Sequence, residues 1–301
     1  MDVVTGAFSY TGKYIAARLL ELGREVRTLT RHPQSASPFG DRVAAFPLQF
    51  GDFDALTRSL AGAETLYNTY WIRFHRGDLT FDRAVENIVF LLRAAKAAGV
   101  RRVVYMSVSN ASPSSPLPYF SGKGRVEEAH AASGLSYGIV RPTVVFGRED
   151  VLINNIAWIL RKLPLFVIPG SGEYALQPVA VEDVAELTVR VGQGRDTQIV
   201  DAVGPDVLTY NELVQLIRTA IGSRARIVHA SPRVAAALGA LLGAALRDTL
   251  ITKDEIAALT DGLLATGSLP SGTRRIADWL AENADSVGSS YTSEVRRNWS
   301  G

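Results

Sequence analysis

The stretch that most constrains this 301-residue chain is its first dozen residues. Val3-Val4 is a short apolar strand. It runs into Thr5-Gly6-Ala7-Phe8-Ser9-Tyr10-Thr11-Gly12, and a helical pattern follows at once. A strand, a glycine turn and a helix in that order make a phosphate cradle. Gly6 lets the backbone turn tightly and approach a pyrophosphate, and Gly12 lets the new helix pack close to the strand. The helix N-terminus offers N–H groups and a positive dipole end to the phosphates. In a GxxGxxG spacing the middle glycine would fall at Ser9, so the match is partial.

The rest of the chain repeats the alternation. Ile15, Leu19, Leu20 and Leu22 give the first helix an apolar face, and Gly23 ends it. Strands are expected over 25–30, 42–50, 64–71, 102–107 and 136–140, with helices over 55–60, 80–98 and 119–132 between them. This spacing predicts an α/β fold: a Rossmann doubly wound parallel sheet with right-handed crossovers. Residues 1–147 form the dinucleotide-binding core. Residues 148–301 form a smaller, mainly helical substrate-binding part, of which 179–202 returns to the core. Within it, helices are expected over 151–162 and 181–191, a strand over 198–202, and an irregular stretch over 164–178. Thr209-Tyr210-Asn211-Glu212 and Thr252-Lys253-Asp254-Glu255 are capping boxes that open two more helices.

Arg31 closes the second strand, where a dinucleotide fold meets the adenosine ribose. An acid there binds the 2′-OH of NAD, whereas an Arg accommodates the 2′-phosphate of NADP. No acid follows until Asp41, so NADP(H) is favoured over NAD(H). Asp52 and Phe53, after the third strand, are placed beside the adenine. Thr69, at the exit of the fourth, joins the cofactor set.

Composition excludes several alternatives. A net charge of +2 with no dense Lys/Arg block is no nucleic-acid signature. Absence of cysteine excludes disulfides, thiolate nucleophiles and Cys-bound metals, and the four histidines have no ligand spacing, so no metal is expected. The run from Val234 to Leu246 contains a Gly239-x-x-x-Gly243, which inside a membrane would suggest helix pairing. It is bounded by Arg233 and Arg247, too short for the roughly 20 apolar residues of a span. A buried or interface helix is the better reading. With the nucleotide strand beginning at residue 3, no signal peptide is expected, and the expectation is a soluble cytoplasmic protein.

Three further stretches carry a resemblance: Tyr119-Phe120-Ser121-Gly122-Lys123, a YxxxK at a helix start; Arg141-Pro142-Thr143-Val144-Val145-Phe146-Gly147; and Gln177-Pro178-Val179-Ala180-Val181-Glu182-Asp183-Val184-Ala185. With the opening loop and Asn87, they make residues 1 to about 220 resemble a short-chain dehydrogenase/reductase of the extended or atypical kind, NmrA-like or epimerase-like. The accessory nucleotide-binding subunit of respiratory complex I is a more distant relative by pattern. Tyr119 and Lys123, four apart, share a helix face. A free tyrosine, with a pKa near 10, is a poor acid or base at neutral pH. A nearby ammonium and an oxidised nicotinamide stabilise its phenolate. Tyr119 then passes a proton to a carbonyl oxygen, and Lys123 also bonds the nicotinamide ribose.

The resemblance also implies a Ser or Thr that orients the substrate oxygen. In extended relatives the strand ends in a Ser that is followed directly by this Ser or Thr, and here that second place is Val108, between Ser107 and Ser109. Either serine is a candidate, with Ser107 ranked ahead. Nucleotide-sugar enzymes of the family carry an Asn three residues after the Arg of the Arg141 segment; here it is Val144. The pocket candidates are Tyr70, Trp71, Val144, Phe146, Asn154, Asn155, Trp158 and Gln177, a set that suits a partly apolar carbonyl or quinone-like small molecule. Two alternatives stand beside this reductase: an NADP(H)-binding sensor or structural subunit without turnover, and a sugar-nucleotide epimerase. A dehydratase lacks its second acid. The helices over 80–98 and from Tyr119 onward could pair across a homodimer, as in relatives.

Overall fold

The computed structural model describes residues 1–295. In chain order the elements begin with β1 (Asp2–Thr5), α1 (Tyr10–Glu21), β2 (Val26–Thr30), β3 (Val43–Pro47), α2 (Phe53–Leu60) and β4 (Thr65–Asn68). They continue with α3 (Phe81–Ala97), β5 (Arg102–Met106), α4 (Pro118–Ala132), β6 (Ser136–Pro142), β7 (Val144–Phe146) and α5 (Leu152–Lys162). Next come β8 (Leu165–Pro169), β9 (Ala175–Leu176), β10 (Pro178–Ala180), α6 (Val181–Gln193), β11 (Gln198–Ala202) and β12 (Leu208–Thr209). The last are α7 (Tyr210–Ala220), β13 (Arg226–Ala230), α8 (Pro232–Leu246), α9 (Lys253–Thr260) and α10 (Ile276–Asn283). The chain divides into two compact units: residues 1–142 with 184–202, and residues 143–183 with 203–301.

The first unit holds a seven-stranded sheet in the order β11-β6-β5-β4-β1-β2-β3, every pair parallel. This is the Rossmann order with β11 added beyond β6. The central strands β1, β4 and β5 are buried along their whole length, as strands covered on both faces must be. Leu56 and Leu60 of α2, Ile88 and Leu91 of α3, and Val126 of α4 pack with Leu66, Val103, Tyr105 and Ile139 of the strands. Each fully buried Leu or Ile contributes about 1.5–3 kcal/mol. Close approach elsewhere needs small residues. A Cβ at Gly192 of α6 would fall within 3.0 Å of the Tyr67 hydroxyl on β4. Arg18 of α1 pairs with Glu186 of α6.

The second unit contains three two-stranded pairings: β10 with β7, β12 with β9, and β13 with β8. Its core joins Phe146, Ile153, Ile156, Leu213, Ile217, Trp279 and Leu280. Both capping boxes form, at Thr209 with Glu212 and at Thr252 with Glu255. The stretch 164–178, expected to be irregular, instead supplies β8 and β9. Leu165–Pro169 is a five-residue apolar run bounded by prolines, and its strand partner lies about sixty residues further on. The fourth strand also ends earlier than expected, at Asn68 rather than Trp71, because Thr69 and Tyr70 turn to bond Thr5. Among the described residues no helix is long and apolar enough to cross a membrane.

Candidate active site

At the end of β1 the chain enters the left-handed region at Gly6, with φ +66°. A Cβ there would come within 3.0 Å of Ser9 Oγ. Both the backbone N–H and the hydroxyl of Ser9 donate to Gly6 O, at 2.9 and 2.7 Å. The Ser9 hydroxyl therefore closes the turn and does not cap α1. Gly12 faces the same carbonyl: a Cβ would press within 3.0 Å of Gly6 O and Gly6 C. Only glycine lets the first turn of α1, which begins with Tyr10 and Thr11, lie this close to the strand end. Thr28 of β2, buried and without a signature in the sequence, accepts a hydrogen bond from Ala7 N and donates to Val4 O, both at 2.9 Å. The result is a bare backbone cradle under a helix N-terminus, and it fits a pyrophosphate.

The end of β4 is drawn to the same place. Thr5 Oγ1 accepts from Thr69 N at 2.7 Å and Tyr70 N at 3.1 Å, while Thr69 Oγ1 donates to Thr5 O at 2.5 Å. Asn68 is buried here, and its Nδ2 has no hydrogen-bond partner among the described residues. Tyr70 Oη accepts from Asn87 Nδ2 at 2.9 Å; burial pushes the Tyr70 phenol up, and Asn87 and Arg31 oppose that shift. Arg31 itself is exposed beyond β2. Asp52 caps α2, accepting from Ala55 N at 2.9 Å. Phe53 meets Phe90 edge-on, with Arg93 over its ring.

Along α4, Tyr119, Lys123 and Glu127 fall at i, i+4 and i+8 on one face. Lys123 is buried, and its ammonium donates to Met106 O at the end of β5 at 2.7 Å. It lies 4.8 Å from the centre of the Trp71 ring and 4.9 Å from that of Tyr105, with the Tyr119 ring at 6.0 Å. Burial lowers its pKa to about 7, against the attraction of Glu127. Trp71 stacks on Phe81 and meets Tyr119 edge-on. A Cβ at Gly122 would strike the Trp71 ring, and one at Gly124 would strike the Ser112–Pro113 backbone, so two glycines let α4 sit between tryptophan and loop.

The serines follow β5. Ser107 N donates to Val140 O and Ser109 N to Pro142 O, both at 2.8 Å, so this segment continues alongside β6. Both serines and the intervening Val108 are buried. The Ser107 hydroxyl donates to Glu127 Oε1 at 2.5 Å. Glu127 is gripped from the other side by Arg141, whose Nε donates to Oε1 at 2.9 Å and whose second nitrogen bonds Oε2. Sequence reasoning passed over Glu127. Its signal was the further four-residue step after Tyr119 and Lys123.

Tyr70 and Trp71 belong to the first unit; the other pocket candidates belong to the second. Val144 and Phe146 lie in its apolar core, Phe146 against Trp279. Asn154 Nδ2 donates to Asp150 O and Oδ2 at 3.0 and 2.9 Å, and burial pushes the Asp150 carboxyl up to about 7. Asn155 exchanges two hydrogen bonds with the Thr292 backbone. Gln177 Nε2 donates to Gly204 O, and Trp158 meets Tyr291 edge-on. These amides hold loops of their own unit; they do not bond one another.

Residues 6–153 match a family model described as NAD(P)H-binding. Subunit 9 of the mitochondrial NADH dehydrogenase 1 alpha subcomplex of Arabidopsis thaliana is 27% identical over 261 residues, 83% of this chain and 64% of that protein. The chain thus spans less than two thirds of that relative's length. A (4-alkanoyl-5-oxo-2,5-dihydrofuran-3-yl)methyl phosphate reductase of Streptomyces griseus is 26% identical, with 74% of each chain covered. In structure, an NADPH-dependent quinone oxidoreductase from Escherichia coli, solved with NADPH, superposes with a TM-score of 0.77 and 22% identity, covering 94% of this chain and 99% of that one. Over residues 6–153 the chain thus matches an NAD(P)H-binding family, and it shares the fold of the quinone oxidoreductase.

Proposed function

We propose that the protein is a cytoplasmic NADP(H)-dependent reductase of a small, partly apolar carbonyl or quinone-like substrate. The observation that carries this reading is the buried Lys123, held on Met106 O beneath Trp71 and one helical turn from Tyr119. Gly6, Ser9, Tyr10, Thr11 and Gly12 hold the pyrophosphate, Arg31 meets the 2′-phosphate, and Asp52, Phe53 and Thr69 line the remaining nucleotide. Bound NADPH supplies the hydride that reaches the carbonyl carbon. Tyr119 gives its phenolic proton to the oxygen, and its phenolate is stabilised by the Lys123 ammonium. Ser107, held by Glu127, orients that oxygen, with Ser109 two residues on as the alternative. Tyr70 and Trp71 form the aromatic wall against which a flat substrate packs. The reductase names among the similar proteins support this reading.

Tyr119→Phe tests it. The variant is expected to keep its NADPH affinity within about twofold and to lose turnover by about 10²–10⁴-fold, followed as loss of nicotinamide absorbance against a panel of ketones, aldehydes and quinones. Undiminished turnover would overturn the mechanism. A second reading, an NADP(H)-binding subunit without turnover, is favoured by the Ser107 hydroxyl being engaged by Glu127 and by the respiratory-subunit relative. Tight NADPH binding with no oxidation across the whole panel would establish it.

A further inference from the structure

The helix α8 presents apolar side chains to solvent. Val234 is 49% exposed, Leu238 45% and Leu241 70%, and these three fall on one helical face with the exposed Ala237, Ala244 and Ala245. From Val234 to Leu246 every residue is Val, Ala, Leu or Gly. The opposite face is anchored. Gly239 and Gly243 are buried, and a Cβ on either would press within 3.0 Å of Ile251 or of Asp248 O. The GxxxG spacing is thus used inward, to seat residues 248–251 against the helix, and the large side chains are left outside.

Charge decides what the outward face meets. Between Leu213 and Arg247 the chain carries five arginines and no carboxylate. Arg224, Arg226, Arg233 and Arg247 are all exposed, and no ion pair engages them among the described residues. Arg233 and Arg247 stand at the two ends of the apolar run. A second copy laid antiparallel along this face would set Arg233 of one chain against Arg247 of the other, like against like. A nucleic acid would gain nothing from the alkyl face. An anionic lipid surface matches both parts: alkyl side chains enter the boundary of the acyl region, and the flanking guanidinium groups meet lipid phosphates. The helix is about 22 Å long, enough to lie in the interface plane and too short to span the bilayer. We propose that α8 is a peripheral docking face for anionic membranes, through Val234, Leu238 and Leu241 with Arg233 and Arg247 at its ends.

Flotation of the full chain with vesicles tests this, comparing pure phosphatidylcholine with phosphatidylcholine containing about 30% phosphatidylglycerol. The expected result is recovery with the anionic vesicles only, falling as salt is raised to about 0.5 M. Leu238→Glu/Leu241→Glu is expected to cut recovery at least about tenfold, and Arg233→Glu/Arg247→Glu several-fold. NADPH binding is expected to be unchanged in both, which shows that they fold. Leu241→Gln alone, at the most exposed position, gives the same reading if the double variant fails to fold. Absence of recovery with anionic vesicles would overturn the proposal, as would recovery indifferent to the leucine changes. A dimer in light scattering that Leu241→Gln dissociates would also overturn it and assign the face to self-association.

Discussion

At the scale of single residues, the site turns on two buried charges on one face of α4. Lys123 has its pKa lowered to about 7 by burial. Its ammonium form, which in the proposed mechanism stabilises the Tyr119 phenolate, is full below that pH and is lost above it. Reductive kcat/KM is therefore expected to fall as pH rises through about 7; a profile flat from pH 6 to 9 would count against the role of Lys123. Glu127 holds Ser107 on one side and Arg141 on the other. Ser107→Ala and Glu127→Gln are each expected to lower kcat about 10- to 100-fold with NADPH affinity retained. The double variant should lose little more than either, because the two act as a unit. Full additivity would separate Glu127 from Ser107. Tyr119 and Lys123 could be read from the sequence because helical spacing alone places them together. Glu127's partners are 20 and 14 residues away, across β5 and β6, and no local pattern announces such a contact.

At the scale of elements, the β1–α1 junction is a close fit of backbone on backbone, with no room for a Cβ at Gly12. Gly12→Ala is expected to force α1 away from the strand end, weakening NADPH binding by at least about tenfold and lowering the melting temperature; overpacking of this kind costs about 1–3 kcal/mol. Calorimetric titration showing native affinity would mean that the cradle can relax. Gly6 and Gly12 were legible because their role is written in backbone geometry, which depends only on neighbours. So were the caps at Thr209 and Thr252, each a contact over three residues. β8 was not legible, because Leu165–Pro169 becomes a strand only by pairing with Arg226–Ala230. The outward face of α8 was half legible: composition revealed an apolar helix, but which side is buried depends on residues 248–251.

At the scale of the molecule, stability has a pH dependence of its own, and a buried histidine of the first unit is one source of it. His130 donates from Nδ1 to Val126 O at 2.8 Å and stacks on Tyr105. Burial lowers its pKa to about 4, below the ordinary histidine value of 6.5. The unfolded chain then binds more protons between those limits, so His130 favours folding fully above pH 6.5 and loses that contribution as pH falls towards 4. His130→Phe is expected to flatten the fall in melting temperature over that window, at a cost near 1 kcal/mol for the lost hydrogen bond. Parallel profiles for variant and parent would show that other groups dominate acid unfolding.

The stack around Trp71 has an optical consequence. Its indole ring stacks on Phe81 with the Lys123 ammonium over it and the Tyr119 ring at its edge, so of the four tryptophans in the chain it is the one packed against the proposed catalytic pair. Reduced nicotinamide absorbs where indole emits, so a ring arriving beside Tyr119 would drain the fluorescence of Trp71 first. On the proposed reading, Trp71 would then be a built-in gauge of cofactor occupancy, readable in real time without substrate, label or turnover.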